Sequence, residues 1–325
     1  MYKSKLNIKE TQLAIQDLKF AFTKELNKNL NLTRVSAPLF VRTDTRINDG
    51  LSGEEPVRFF AKNIDFSHDI VHSLAKWKRT ALQKYSFEKY EGLWTDMNAI
   101  RREESLDYKH SYYVDQWDWE MVIGKEDRNL EFLKSTVNKI FKSIKHVERK
   151  LNINYPLLVE KLPKEVFFIS STDLYNMFPS LSAEQREDEI AKIHKAVFIH
   201  EVGHKLPDGI PQSARAFDYD DWKLNGDLLV WDSVNNRSLE ISSMGIRVDA
   251  KSLVEQSNIE NKGDLWGEYH YNIAENKLPL TIGGGIGQSR LTMFLLEKKH
   301  IGEVQVSSWT DHILEECEKQ GIKLL

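Results

Sequence analysis

Cys317 is the only cysteine in this 325-residue chain, so neither an internal disulfide nor a thiolate metal cluster can form. A lone thiol fits a reducing compartment, and the cytoplasm is the expected one. No apolar run approaches the ~18 residues that a membrane-spanning helix needs. The opening stretch, MYKSKLNIKE, lacks the apolar segment of a signal peptide. Positive charge is not in excess either: 45 Lys and Arg stand against 49 Asp and Glu, a formal net of −4. Without a basic stripe, nucleic acid is a poor partner. Repeats, low-complexity linkers and an evident domain boundary are also missing. One compact domain over residues 1–325 is the expectation.

The most informative stretch that is present lies at 281–291, TIGGGIGQSRL. Three consecutive glycines let backbone approach a bound group closely, since no Cβ intervenes. The helix-like SRLTMFLLEKK behind them offers an N-terminus that favours anions, and Arg290 adds a planar charge suited to phosphate. A triphosphate site is one reading and an ordinary Gly-rich turn is the other. The spacing matches neither the P-loop nor the dinucleotide fingerprint.

Residues 7–30 carry Leu13, Leu18, Phe22, Leu26 and Leu30 near one stripe, which predicts a long amphipathic helix. It runs into LTRVSAPLFV, where Pro38 restricts the strand to an edge or an interface. Together they form either a homodimer contact or an ordinary core helix with an edge strand. The polar segment RINDGLSGEE, 46–55, is a solvated connection or a mobile lid. A strand at 57–62 follows, then a helix expected to start at Ser73 as its cap. Lys76, Lys78 and Arg79 crowd its first turns against the macrodipole, as if an anionic ligand needed a cation there.

The next unit reads as a hairpin whose first arm ends at Arg101. On its second arm Val114, Gln116, Asp118 and Glu120 alternate with Tyr113, Asp115, Trp117 and Trp119. Polar residues on such a strand face water or line a polar pocket. Helices are predicted at 129–151 and 184–195, with a buried strand at 166–171. HEVGH, 200–204, matches the zinc-peptidase pattern, but AVFI before it and Gly203 inside it predict a strand entering a turn. That chemistry needs both histidines on one helix.

ARAFDYDDW, 214–222, packs aspartates beside aromatics in what is expected to be a loop. The hairpin that follows turns at SVNN; pairing Asp232 with Arg237 sets Asp227 opposite Ser242 and Leu229 opposite Glu240. Asp227 and Glu240 then share a face, two oxygen donors suited to Mg²⁺ arriving with nucleotide phosphates.

In order, the segment through Pro38, the strand–loop–strand with Arg101, and GGGIGQSR resemble motifs 1, 2 and 3 of class II aminoacyl-tRNA synthetases, the aspartyl branch above all. Ser73 through Lys78 is similar to that branch's QSPQ segment and its downstream Lys, although Leu-Ala replaces Pro-Gln. EISSMGIRV is similar to its E-x-G-G-G-S-x-R strand. The resemblance starts directly at motif 1, so no anticodon-binding domain is expected. HSLAKWKR, YVDQWDWE, DYDDW, SSMGIRVDA and TIGGGIGQSRLTM together resemble the ammonia-dependent asparagine synthetases, the aspartate–ammonia ligases, over nearly the full chain.

The resemblance implies an α/β fold with a class II synthetase-like core, a mostly antiparallel sheet flanked by helices, acting as a homodimer. It implies that L-aspartate, ATP and ammonia give asparagine, AMP and diphosphate through a β-aspartyl adenylate. It places Arg101 on the α-phosphate and the reacting carboxylate, Arg290 on the β- and γ-phosphates, Asp227 with Glu240 on Mg²⁺, and Ser243 beside them. Ser73 lies in the segment that matches the aspartate-binding one. Lys78 and Arg247 match cations that hold the side-chain carboxylate in aspartyl-tRNA synthetases. Here they are expected to hold the α-carboxylate, with the substrate reversed. Asp49 and Gln116 are candidates for the α-ammonium, and Asp118 or Asp220 for the base that deprotonates ammonium. Glutamine-dependent enzymes need a nucleophilic cysteine; Tyr2 follows the initiator and Cys317 sits in the charged EECEKQ, so free ammonia is the expected donor. A non-catalytic paralogue of the same fold is the alternative, against which Arg101, Glu240 and Arg290 argue.

Overall fold

A computed structural model of the chain describes residues 2–50 and 53–325. Its centre is an eight-stranded sheet in the order β1 (Leu32–Arg34), β5 (Gly92–Ile100), β6 (Tyr113–Val122), β11 (Thr281–Gly287), β10 (Arg237–Arg247), β9 (Asp220–Asp232), β8 (Ala196–His200), β7 (Phe167–Ser170). The two outer pairs, β1 with β5 and β7 with β8, are parallel. Every pairing between them is antiparallel. A three-stranded antiparallel sheet of β2 (Phe40–Arg42), β4 (Ser67–Ile70) and β3 (Arg58–Phe60) stands beside it.

Two long amphipathic helices, α1 (Ile8–Leu30) and α3 (Leu130–Asn154), cover one face of the large sheet. Asn7 caps α1, its side chain accepting from the Glu10 amide, and Glu10 returns the bond. Leu18, Phe22 and Leu26 on α1 pack with Trp117 and Trp119 of β6, and the Phe22 and Trp117 rings lie 4.4 Å apart. Burial of that stripe, rather than helix propensity, fixes α1 to the sheet. The other face is covered only at its ends. There lie α2 (Ala75–Lys84), α4 (Ser171–Met177), α5 (Ala183–His194), α6 (Ala250–Glu260) and α7 (Glu268–Ala274), leaving the middle of the sheet open as a cavity floor. α8 (Gln288–Leu295) follows β11, and α9 (Asp311–Gln320) buries Cys317. No helix among the described residues is long and apolar enough to cross a membrane.

Several local expectations change. Helix α2 begins at Ala75 with Leu74 at its cap position and no side-chain capping bond; Ser73 instead donates to Asp49 Oδ2 at 2.8 Å. The strand expected to be buried at 166–171 is the sheet edge, with Phe167 exposed. Asp227 pairs with Ser243, not Ser242, because a bulge interrupts β10 between Glu240 and Ser242. That bulge decides which side chains of β10 face the cavity. Leu239 and Ile241 point into the core before it, while Met244 and Ile246 do so after it. Glu240, Ser243 and Arg247 thereby reach the cavity face together, which strict alternation would forbid.

Candidate active site

The cavity, about 360 Å³, is floored by β6, β10 and β11 and walled by the 203–219 loop, the loop between β5 and β6, and the Asp49 segment. Its deep end is a closed network of charges. Lys78, on the first turn of α2, is fully buried; its Nζ donates to Asp118, to the Trp119 carbonyl at 3.0 Å and to the Gly284 carbonyl at 3.3 Å. An ammonium has three protons, so all of its donors are in use. Arg247 donates from Nε and Nη2 to Glu120 Oε2, at 3.2 and 3.0 Å, and from Nη1 to Asp220. Thr281 donates to the other Glu120 oxygen at 2.7 Å. Three of the five guanidinium donors are thus engaged, which leaves two for a ligand.

Burial lowers the Lys78 pKa and raises that of Asp118, each more than their attraction opposes. Burial works against the charge on Arg247 too, but Glu120 and Asp220 outweigh it and hold the guanidinium above its ordinary range. The glycines of β11 serve this network. A Cβ on Gly283 would lie 2.6 Å from Glu120 Oε2 and 2.8 Å from Arg247 Nη2, and one on Gly285 would collide with the Gln116 amide. These glycines lie within a strand, not a turn, and neighbouring side chains take the space they leave. Asp49 and Ser73 bond each other at the rim of this end. Asn48 holds the Asp49 segment, accepting from the His72 amide at 2.9 Å. Residues 51–52 of the expected lid lie outside the described residues.

The outer end is different. Arg101 leaves β5 and donates only a long bond, 3.4 Å, to the His72 carbonyl; its buried Nε has no partner among the described residues. Arg290, on the first turn of α8, donates to the Glu240 carbonyl at 3.2 Å, and its Nη1 lies 3.9 Å from the Glu240 carboxylate. Burial would raise the Glu240 pKa, but Arg290, Arg215, Lys109 and Arg101 together bring it below the ordinary value. Asp227 lies behind, gripped by Arg215, which also donates to Ser243 Oγ at 3.0 Å. Burial pushes Asp227 up to about 6; Arg215 opposes the shift and Glu240 adds to it. The first-turn amide of Ser289 donates to Asp115 Oδ1 at 3.0 Å, so the α8 N-terminus expected to meet an anion meets a carboxylate of the protein.

Asp49, Ser73, Lys78, Arg101, Gln116, Asp118, Asp220, Glu240, Ser243, Arg247 and Arg290 therefore line one cavity, with Asp227 directly behind Arg215. Of the basic trio on α2, only Lys78 does so. Lys76 pairs with Asp218 at 3.0 Å, and Arg79 donates to the carbonyls of Pro279 and Val248. HEVGH ends a strand as expected: Glu201 takes a left-handed φ of 61°, and His204 meets Thr172. No trio of His, Cys, Asp or Glu among the described residues is arranged to hold a metal. Sequence reasoning missed Arg215 and Lys109. Each is a lone cation in an irregular loop, where no periodicity assigns a face; for Arg215 the only signal was its place next to the aspartate cluster.

The sequence pattern of the aspartate–ammonia ligase (AsnA) family matches residues 9–321. The chain belongs to that family. Aspartate–ammonia ligases from Clostridium tetani and Ureaplasma parvum are 54% and 52% identical to it, over the whole of this chain and 96% and 99% of theirs. One from Lactobacillus johnsonii is 51% identical, over the whole of this chain and 98% of its own. Solved structures with the same fold include asparaginyl-tRNA synthetase from Pyrococcus horikoshii complexed with asparaginyl-adenylate. It superposes with a TM-score of 0.67 at 16% identity, covering 91% of this chain and 67% of that one. The Entamoeba histolytica enzyme, also with asparaginyl-adenylate, gives 0.64 at 16%, covering 92% of this chain and 66% of that one. This aspartate–ammonia ligase family member thus has the class II synthetase fold expected of it, with a mixed sheet that is antiparallel through its middle.

Proposed function

We propose that the chain amidates L-aspartate with free ammonia at the expense of ATP, releasing asparagine, AMP and diphosphate through a β-aspartyl adenylate. The observation that carries this reading is the juxtaposition, in one cavity of a family member, of an ion-paired deep end around Arg247 and a cation-rich outer end around Arg101 and Arg290. The deep end suits a small zwitterion and the outer end a polyphosphate.

In the first step a β-carboxylate oxygen bonds to the α-phosphorus as the bond from that phosphorus to the bridging oxygen breaks, and diphosphate leaves. Arg101, whose Nε has no partner among the described residues, receives the α-phosphate and the attacking carboxylate. Arg290 receives the outer phosphates. The two spare donors of Arg247 hold the α-carboxylate, so the substrate lies reversed relative to aspartyl-tRNA synthetases. Lys78 contributes charge and exchanges its longest bond, to Gly284, for the substrate. Asp49 and Gln116 receive the α-ammonium.

The guanidinium held between Asp227 and Ser243 marks a place that favours positive charge, so the donor set fits a cation. Asp227 and Glu240 would hold Mg²⁺, which supplies charge neutralisation to the outer phosphates. In the second step ammonia bonds to the acyl carbon and the carbon–oxygen bond to AMP breaks. The proton that ammonium gives up goes to Asp118 or Asp220; burial raises the Asp118 pKa, which makes it the stronger base of its kind.

The cavity walls draw on segments from Asp49 to Gln305, which supports residues 1–325 acting as one catalytic unit. Exposed Leu13 and Phe20 on α1 support a homodimer contact there, and the lone thiol supports a cytoplasmic location. The test is incubation with aspartate, ATP, Mg²⁺ and ammonium. Asparagine and AMP are expected in equal amounts; ADP in place of AMP would mean an acyl-phosphate route and overturn the reading.

A further inference from the structure

Arg215 has no part in the scheme above, yet it sits at the centre of the outer end. Its side chain is 11% exposed and reaches from the 203–219 loop across the back of the cavity. Nη2 bonds Asp227 and Ser243; Nη1 bonds Ser213 Oγ at 2.7 Å and the Ala214 carbonyl at 3.0 Å. Nε is buried with no partner among the described residues. Asp227 stands opposite Ser243 across two paired strands, and Glu240 is close enough for its charge to act on Asp227. Asp227 and the Ser243 hydroxyl, on paired strands, therefore meet at one guanidinium, with Glu240 on the same face nearby. The loop carrying that cation is irregular, whereas the strands carrying the acids are fixed by pairing on both sides.

We propose that Arg215 is the resident counter-cation of the nucleotide half: its guanidinium occupies the position against Asp227 that a divalent cation takes, so the two exclude each other. The guanidinium sits on Asp227 Oδ1 and bridges it to Ser243 Oγ, so a divalent cation drawing on that oxygen would meet occupied space and a like charge. Without either cation, buried Asp227 would stand uncompensated beside Glu240, which Arg290, Lys109 and Arg101 still face. Arg215 thus keeps Asp227 ionised and in place while no metal is present. Once displaced, it becomes a further cation available to the same cavity. Asp227 thus faces a cation in either state, the single charge of the guanidinium or the double charge of the metal.

This inference rests on the reading that a divalent cation enters with the nucleotide, and it is tested without turnover. Mn²⁺ is titrated into the nucleotide-free protein and followed by electron paramagnetic resonance of the free ion. Arg215→Gln should bind Mn²⁺ about 10-fold or more tightly than the unmodified protein, the usual consequence of removing a competing opposite charge at a carboxylate. Adding Asp227→Asn to that variant should abolish the gain. An unchanged or weakened Mn²⁺ affinity in Arg215→Gln overturns the proposal, as does a gain that survives Asp227→Asn. Should Arg215→Gln not fold, the unmodified protein decides. Structures with and without Mn²⁺ and a non-hydrolysable ATP analogue should show Arg215 beyond hydrogen-bond distance of Asp227 only when the metal is bound. Arg215 still bonded to Asp227 beside bound metal overturns it. Asparagine formation by the unmodified protein is scored separately, so failure here and failure of the proposed reaction are distinguishable.

Discussion

The two ends of the cavity contain the same kinds of residue and solve opposite problems. At the deep end Lys78, Asp118, Arg247, Glu120 and Asp220 satisfy one another, and little but two guanidinium donors remains to be claimed. At the outer end Arg101 and Arg290 make only long or carbonyl bonds among the described residues, and cations from three separate segments outweigh burial at Glu240. A small amino acid must be recognised by shape and by a few oriented bonds, which requires supports that do not move. A triphosphate arrives with its own charge, so cations left under-satisfied gain most when it binds. On the proposed reading, pairing within the protein, and not the number of charged groups, separates a positioning site from a phosphate site.

The largest expected effect is on the open side. Arg101→Ala should lower kcat about 10²- to 10³-fold, the scale of losing one oriented donor to developing charge. Its fold should be nearly unaffected, because Arg101 supports almost nothing within the protein. Steady-state kinetics with a thermal melt check both halves of that statement. If Arg101→Ala unfolds the protein, the outer end is as self-satisfied as the deep end and the contrast fails.

Arg247→Ala should behave the other way. The KM for aspartate should rise about 10- to 100-fold, the worth of losing a charged hydrogen bond to the substrate. Stability should fall by about 3–5 kcal/mol, because Glu120 and Asp220 are left buried without their partner. Aspartate titration and chemical denaturation separate the two. An unchanged KM would remove Arg247 from the substrate site and, with it, the reversed orientation.

How much of this was legible beforehand depends on the kind of constraint. Helix α1 and the alternation of β6 were legible, because a stripe at 3.6 residues and a period of two follow directly from which face is buried. Strict parity for β10, however, would have set Glu240 and Arg247 on opposite faces. Only the resemblance to the synthetase strand named both as site residues. The bulge between Glu240 and Ser242 reconciles them, and nothing in LEISSMG announces it. Lys76 and Arg79 looked like ligand cations, since a charge misplaced at a helix start is visible in sequence whereas its partners, Asp218 and two distant carbonyls, are not. The triple glycine was visible, but its purpose was not. Gly283 makes room for the Glu120–Arg247 pair, a contact between strands far apart in the chain.

Lys76, Asp218 and His270 form a third charged cluster, buried like the deep end and removed from the cavity lining. Burial alone would raise Asp218, but Lys76 and His270 outweigh it and bring the pKa from 3.8 to about 2. A carboxylate depressed in this way stabilises the fold above its unfolded pKa and loses that contribution as pH falls through its folded value. Asp218→Asn should therefore cost about 2 kcal/mol at neutral pH, and the difference from the unmodified protein should vanish between about pH 4 and pH 2. Denaturation curves across that range test it. Activity per folded molecule should be unchanged, which distinguishes a closed network that only supports from one that also binds.

Ionic strength gives the smallest and most direct comparison. Exposed charges more than about 8–10 Å apart are screened at ordinary salt, while buried pairs are hardly touched. Arg290 is 24% exposed in its side chain and Arg247 2%. Raising KCl from low to several hundred millimolar should therefore lift the KM for ATP on the order of two- to fivefold and leave the KM for aspartate nearly constant. The measurement needs no variant, so folding cannot confound it. Equal sensitivity of the two constants would mean that aspartate also meets charges open to solvent. The deep end would then owe its selectivity to something other than the internal pairing of Lys78 and Arg247.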